Sequence, residues 1–298
     1  MALSIEIRNG FVYLVEARTT KTSVSIQKTH YYSFPEEWVT ETGVNNPEGF
    51  SELLLQNLSE QNIKDKKAYV CINNSSVIYR ELNLPRVDDR KIPLLVRSEM
   101  MSALNLTPDY IMDYVYLNEV ESDGSMYYRV LGVAMLKSVI ESVLDVAKRC
   151  HLKLQVVDSA TNSILKLVQD NKSVQESDQL IIADVGNGHL KLYLYENGEY
   201  ALSRNNKLIA FKENSNDEIV SAIVDNINKM VQFSYTRRLG TDAKKVILCG
   251  NDEILEELQK QVSENLLIDC EILKKPTFVT GMKYENRYVN AIGTLLRK

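Results

Sequence analysis

LIIADVGNGHLKLYLYENGEYALSR, residues Leu180 to Arg204, carries the clearest local structure in the chain. Leu180, Ile181 and Ile182 run apolar into Asp184, and Asn187-Gly188 is a turn pair that suits a two-residue hairpin. Leu190, Leu192 and Leu194 then alternate with Lys191, Tyr193 and Tyr195, which is the period of a strand with one face buried. A second turn at Asn197-Gly198 returns the chain for a third strand through Tyr200 and Leu202. Together these signals predict a three-stranded antiparallel meander.

The N-terminus carries a weaker copy. Ile5 to Val15 falls on Ala183 to Tyr193 without a gap, with Glu6 on Asp184 and Asn9-Gly10 on Asn187-Gly188. Two hairpins can share a common turn by accident, but the elements that follow each copy also match. The first copy is followed by a third strand over Ser23 to Thr29, a helix opened by Asn46 and Pro47 with Phe50, Leu53, Leu54 and Leu58 on one face, and an apolar strand Ala68 to Ile72. The second copy is followed by a helix Asn216 to Leu239 with a stripe of Ile219, Ile223, Ile227, Met230 and Val231, in which Phe233 and Tyr235 read as packing residues. A strand Lys245 to Cys249, a helix Asp252 to Glu264 and a strand Ile268 to Ile272 come next. A repeat this far apart predicts two similar domains, in line with a length of 298 residues.

The first half has an addition. Val77 to Leu84 reads as a strand closed by Pro85, Asp88 to Leu104 as a helix, and Tyr110 to Leu117 and Met126 to Ala134 as strands, so residues 76 to 136 form a small αβ insertion. Helix Lys137 to Cys150, strand Leu152 to Val157 and helix Ser159 to Gln169 close this half. The polar stretch Asn171 to Asp178 marks the boundary, giving domains 1–172, with the insertion at about 84–136, and 173–298. Phe34 to Asn45 and Thr277 to Gly281 read as loops, and Tyr284 to Arg297 as a final helix.

Composition excludes several function classes. The net charge is −5 and the basic residues are scattered, so no nucleic-acid footprint is present. The apolar runs fall far short of a membrane span and MALSIEIRNG has no signal-peptide pattern, so a cytoplasmic location without membrane insertion is expected. Cys71, Cys150, Cys249 and Cys270 are isolated among apolar residues and read as buried free thiols. His30, His151 and His189 are scattered, and neither a structural zinc set nor a Ser/His/Asp or HExxH pattern occurs.

Two meander-led αβ domains with an insertion in the first resemble the actin-like (ribonuclease-H-like) fold, as modified in the division protein FtsA and, more closely, in the PilM family of type IV pilus assembly proteins. The PilM-like stretches are Arg80-Glu81-Leu82-Asn83-Leu84-Pro85, the helix Lys91 to Leu106 around Val96-Arg97-Ser98-Glu99, Asp113-Tyr114, and Val156-Val157-Asp158 before a helix. The resemblance implies an α/β fold with two such domains around a cleft. It also implies a nucleotide between the two meander turns, where an aspartate orients Mg and glycines admit phosphate to backbone NH groups. Asp184, Gly186 and Asn187 in the second turn and Gly250 in the adenosine-side turn are the matching positions, although Asp and Gly beside a tight turn are also ordinary turn chemistry. In the first turn the family pattern Asp-x-Gly-x-x-x-x-Lys is replaced by Glu6, Arg8 and Tyr13, and Asp252 adds a carboxylate on the adenosine side.

With these departures the resemblance implies no enzyme activity and no bound cofactor, ATP with Mg being the alternative. It implies a cytoplasmic scaffold that takes the N-terminal peptide of a PilN-like inner-membrane protein in a groove within residues 76–117 and links it to the pilus motor ATPases. The competing expectation is an ATP-binding, FtsA-like protein, against which stands a last helix followed at once by Leu295-Leu296-Arg297-Lys298 with no amphipathic tail. If the two turns face each other as in these relatives, Arg8 meets Asp184 across the cleft, a pair worth about 1 kcal/mol or less if partly exposed.

Overall fold

The structure is a computed structural model and describes residues 1–8, 10–208, 215–237 and 243–296. In chain order its elements are β1 (Ala2–Arg8), β2 (Phe11–Thr19), β3 (Val24–Ser33), β4 (Val39–Thr40), β5 (Gly43–Val44), α1 (Pro47–Glu60), β6 (Lys67–Asn73), β7 (Ile78–Pro85), α2 (Ile92–Leu104), β8 (Tyr110–Ser122) and β9 (Ser125–Leu136). There follow α3 (Lys137–Arg149), β10 (Lys153–Ser159), α4 (Ala160–Val168), α5 (Lys172–Gln175), β11 (Gln179–Val185), β12 (His189–Glu196), β13 (Glu199–Lys207), α6 (Asn216–Arg237), β14 (Lys245–Gly250), α7 (Leu255–Leu266), β15 (Asp269–Ile272), β16 (Val279–Gly281) and α8 (Val289–Leu295). They divide into two compact units: residues 1–34, 56–73 and 151–298 form the first, and 35–55 and 74–150 the second.

The first unit contains both copies of the repeat. Its two sheets run β10-β6-β1-β2-β3-β16 and β15-β14-β11-β12-β13, so corresponding strands occupy the same order in each. Register is shared as well: Glu6 opposes Tyr13 and lies beside Cys71, as Asp184 opposes Lys191 and lies beside Cys249. The gapless overlay read from sequence is therefore a structural equivalence. Asn197-Gly198 closes β12 to β13 with both residues at positive φ, 52° and 76°, the geometry that Asn-Gly supplies at little cost. Only Gly188 of Asn187-Gly188 takes positive φ (83°), and Gly186 N–H donates to His189 O at 2.9 Å to close the two-residue turn.

The second repeat's core is one cluster of Ile181, Ala183, Val185, Leu190, Leu192 and Leu194 from the sheet against Ile219, Ile223, Ile227 and Met230 of α6 and Leu255, Leu258 and Val262 of α7. The expectation that β12 buries one face only is corrected: Lys191, Tyr193 and Tyr195 are buried too. The face that bears Asp184 and Lys191 is turned to the first repeat, whose Arg8 meets it directly. Tyr235, read as a packing residue, is exposed at the end of α6, whereas Phe233 packs under the Arg204 guanidinium at 4.0 Å.

Two further corrections concern the C-terminal segment. Thr277 to Gly281 is not all loop: β16 runs parallel to β3 and becomes the sixth strand of the first sheet. Instead of one helix from Tyr284, a 3-10 turn at Asn286–Tyr288 leads into the seven-residue α8, whose residues are all buried, and Arg297 lies outside the described residues. Gly293 explains the tight seating of α8, because a Cβ there would stand 2.2 Å from Ser163 O of α4.

The second unit is a three-stranded antiparallel sheet, β7-β9-β8, with α2 across one face. Leu82, Leu84, Ile92, Val96, Met100, Val130 and Ala134 form its core. Pro93 sits in the first turn of α2, where it costs no helical hydrogen bond, after a 3-10 turn at Asp89–Lys91 capped by Asp88. The hairpin β8–β9 is longer than its sequence pattern indicates, and Asp123-Gly124 at its tip takes positive φ at both positions, 51° and 73°. Phe34 to Asn45 is likewise not a plain loop: it holds a 3-10 turn and the β4–β5 hairpin, which docks on α3 through Val44 N–H donating to Ser142 Oγ and Ser138 Oγ donating to Thr42 O.

Candidate functional site

Asp184 stands at the end of β11 and is completely buried, as are Glu6 and Arg8 at the equivalent end of β1. Burying charges of both signs is tolerable only if each is paired and hydrogen-bonded. Arg8 Nη2 donates to Asp184 Oδ1 at 2.7 Å, Arg8 Nε donates to His189 Nε2 at 2.7 Å, and Arg8 Nη1 lies 3.8 Å from Glu6 Oε1. The expected pairing of Arg8 with Asp184 is present, but its surroundings differ from a partly exposed cleft, since the side chains are 2% and 0% exposed. A buried pair obeys a different rule from a surface one: removing one partner is expensive because the other charge stays behind.

Asn290 of α8 completes the site. Its Nδ2 donates to Asp184 Oδ2 at 2.9 Å and to Glu6 Oε1 at 3.1 Å, so one side-chain amide bridges the acids of both repeats. Asn73 Nδ2 donates to the same Glu6 oxygen at 3.0 Å, which leaves Glu6 Oε2 without a hydrogen-bond partner among the described residues. Asp252, the added carboxylate of the adenosine-side turn, accepts from the backbone N–H groups of Asn286 and Arg287, each at 3.0 Å, and so anchors the segment that leads into α8.

The electrostatics follow from burial. Loss of solvent pushes Glu6 up to about 7, with Asp184 adding to the rise and Arg8 and the two asparagines opposing it. Asp184 resists the same burial because Arg8 and Asn290 hold its carboxyl below the usual range. Burial and the adjacent guanidinium depress His189 to about 3, so the ring is neutral and accepts at Nε2 with its proton on Nδ1. Lys191 is lowered to about 8 by burial, with Asp184 supporting its charge. Arg8 stays charged: Asp184 and Glu6 outweigh its desolvation. Burial raises the thiols of Cys71 and Cys249 beside the two acids, which makes both inert, and none of the four cysteines is bridged.

Phosphate and Mg do not fit these residues. A Cβ on Gly186 would lie 2.5 Å from His189 Cε1 and 2.7 Å from Arg8 Nε, so the space over the Gly186 backbone, where a phosphate would approach, is taken by two side chains of the chain itself. The Asp184 oxygens that would orient Mg are committed to Arg8 and Asn290. Gly250 (φ 104°) packs directly on the Val185 backbone, and Asn251 N–H donates to Val185 O at 2.7 Å. Asn187 Oδ1 accepts from Asn251 Nδ2 at 3.2 Å. Tyr13 is buried, stacks on Tyr31 with centroids 5.9 Å apart and meets Tyr288 edge-on at 6.0 Å. Asn9, the tip of the first turn, lies outside the described residues.

Sequence reading gathered Glu6, Arg8 and Asp184 but missed Asn73, His189 and Asn290. A signal for the first was available: Cys71-Ile72-Asn73 and Cys249-Gly250-Asn251 are the same Cys-x-Asn ending repeated on equivalent strands. Asn290, a polar residue within the apolar run Val289 to Leu296, was the other.

Residues 76–117, where a partner groove is expected, include β7, α2 and the first part of β8. In the second unit, Tyr110, Met112 and Tyr114 pack toward α2, while Ile111 and Val115 are exposed on the opposite sheet face, and β8, like β7, is an edge strand of its sheet. Among the described residues no helix is long and apolar enough to cross a membrane.

Comparison with known proteins agrees with this architecture. The chain matches a solved structure described as the PilM-PilN type IV pilus biogenesis complex at TM-score 0.80 and 17% identity, over 99% of this chain and 98% of that one. An actin-like ATPase-fold protein of unknown function from Bacteroides thetaiotaomicron matches at TM-score 0.50 and 11% identity, over 91% and 90% of the two chains. The ethanolamine utilization protein EutJ from Carboxydothermus hydrogenoformans matches at 0.52 and 11%, over 99% and 89%. At these identities the likeness shows the actin-like fold alone. No curated protein matches by sequence. The family described as type IV pilus assembly protein PilM matches residues 4–221, most of the chain. The chain therefore belongs to the PilM family of type IV pilus assembly proteins.

Proposed function

We propose that this protein is a non-enzymatic scaffold on the cytoplasmic face of a type IV pilus assembly machine. In this reading it holds the cytoplasmic N-terminal peptide of a PilN-like inner-membrane protein and connects it to the pilus motor ATPases. Family membership supports the pilus role, and the related structure described as a PilM-PilN complex supports the partner. The observation that carries the non-enzymatic part is Arg8: its side chain, with His189, lies over the Gly186 backbone and binds Asp184, so the groups that would serve a nucleotide serve each other.

For the partner, β8 supplies the matching chemistry. An extended peptide can add to an outermost strand through backbone hydrogen bonds while its apolar side chains settle beside Ile111 and Val115. The test is fluorescence anisotropy of a labelled peptide with the sequence of the inner-membrane partner's cytoplasmic N-terminus. Saturable binding to the wild type, weakened about tenfold or about 1.4 kcal/mol by Val115→Lys, is expected. An absence of binding, or equal affinity in the variant, overturns the assignment to β8.

A further inference from the structure

Four side chains from three elements close a ring inside the first unit. Arg8 reaches Asp184 at 2.7 Å, Asp184 accepts from Asn290 at 2.9 Å, Asn290 donates onward to Glu6 at 3.1 Å, and Glu6 returns to Arg8 at 3.8 Å. Glu6 and Arg8 come from the first sheet and Asp184 from the second, while Asn290 comes from a helix seated against β1, β2, β6 and α4. We propose that this ring is a built-in clamp that holds the two repeats at one fixed angle, in place of any bound nucleotide.

The geometry supports a clamp over a chance contact in three ways. Each of the four side chains is 2% exposed or less, so water cannot substitute for a lost partner. Two basic groups, Arg8 and the Lys191 opposite Asp184, face two acidic ones, Glu6 and Asp184, and the directional hydrogen bonds among these buried groups favour one arrangement of the set. The helix that carries Asn290 is fixed at both ends: Asp252 accepts from the backbone before it, and toward its C-terminus Gly293 lies against Ser163 O while Thr294 shares a 2.7 Å hydrogen bond with Ser163 Oγ. The bridging amide therefore cannot slide away from the two carboxylates. A clamp of this kind is independent of the pilus partner, and it makes the repeat angle a property of the sequence and not of nucleotide supply.

The test reads the angle directly. Spin labels at Lys21→Cys in the first repeat and Glu264→Cys in the second, both exposed positions, report one inter-repeat distance by pulsed electron paramagnetic resonance, and the four buried native cysteines leave the labelling selective. The wild type should give a single narrow distance that is the same with and without MgATP, a comparison that needs no disruptive variant. Asn290→Ala should lose the single narrow distance and give a broad distribution, and Arg8→Lys, which keeps the charge but not the fork reaching both Asp184 and His189, should broaden it to a smaller degree. A wild-type distance that shifts or narrows on adding MgATP overturns the proposal, as does an Asn290→Ala distribution as narrow as the wild type's. Partner-peptide binding is read separately, so either reading can fail alone.

Discussion

Replacing Arg8 with methionine removes a buried cation and leaves its partners in place. Asp184 Oδ1 loses its 2.7 Å donor, His189 Nε2 loses its own, and the buried set shifts from two cations against two acids to one against two. Breaking a buried ion pair from one side costs about 3–5 kcal/mol, since the remaining charge has neither water nor a partner. Glu6 moderates the loss: burial already holds it near 7, and without Arg8 it takes up a proton more readily, which restores the balance. The cost of Arg8→Met should therefore depend on pH, being about 1 kcal/mol larger at pH 8, where protonating Glu6 is harder, than at pH 6. Asp184→Leu alone leaves Arg8 beside Lys191 with the more distant Glu6 as its acid and should cost a similar amount, whereas Arg8→Met with Asp184→Leu removes one charge of each sign. The double variant should be destabilised by far less than the sum of the singles, with a coupling of about 2 kcal/mol or more. Urea unfolding followed by circular dichroism at both pH values measures all four species. An Arg8→Met cost below about 1 kcal/mol, or a double variant equal to the sum, would show that Arg8 and Asp184 are not coupled as a buried pair.

The same site makes the protein's stability a readable function of pH. Glu6 rises on folding from its ordinary 4.5 to about 7, so its contribution is full below pH 4.5 and is lost as pH climbs through 7; a shift of this size corresponds to about 3 kcal/mol. His189 falls from 6.5 to about 3, so its contribution is present above 6.5 and is lost as pH drops toward 3. The two slopes oppose each other between pH 4.5 and 6.5, and thermal melts should show that Glu6→Gln removes the decline toward pH 7 while His189→Gln lessens the decline toward pH 3, the remainder of which Asp184 supplies; unchanged profiles would contradict the assignment. Gly293→Ala should destabilise by about 1–3 kcal/mol or more, because its methyl group would meet the Ser163 carbonyl, and a neutral result in urea unfolding would show that α4 and α8 are less closely seated. The combined reversion Arg8→Gly, Glu6→Asp and Tyr13→Lys should create weak MgATP binding measurable by calorimetry where the wild type has none, and heat from the wild type would count against the filled site. All four cysteines should resist alkylation in the native protein and react in urea, as mass spectrometry would show.

Much of this architecture was legible because strand periodicity and turn chemistry are local. Asn-Gly at two places, with a carboxylate three residues before each, Glu6 and Asp184, was enough to match β1 to β11, and the shared strand order followed from it. The pairing of Arg8 with Asp184 could be read by laying one repeat over the other. The rest depended on contacts distant in sequence. Whether Lys191 and Tyr193 point to water or to another layer is not encoded in alternation, which is identical for a half-buried and a fully buried strand. β16 has only three residues and owes its strand character to the edge of β3, so no propensity marks it. Asn290 looked like one polar residue in an apolar helix, and only the packing of α8 against the first sheet brings it within reach of two carboxylates contributed by different repeats.

Thermal unfolding of the purified protein alone, with saturating MgATP, and with the partner's N-terminal peptide tests whether it is a peptide-binding scaffold or a nucleotide-binding protein. A ligand that binds only the folded state must raise the melting temperature, by about 2.7 kcal/mol of added stability at a hundredfold excess over its dissociation constant. A peptide-binding scaffold should show an upward shift with the peptide and none with MgATP. A shift with MgATP and none with the peptide would contradict that role.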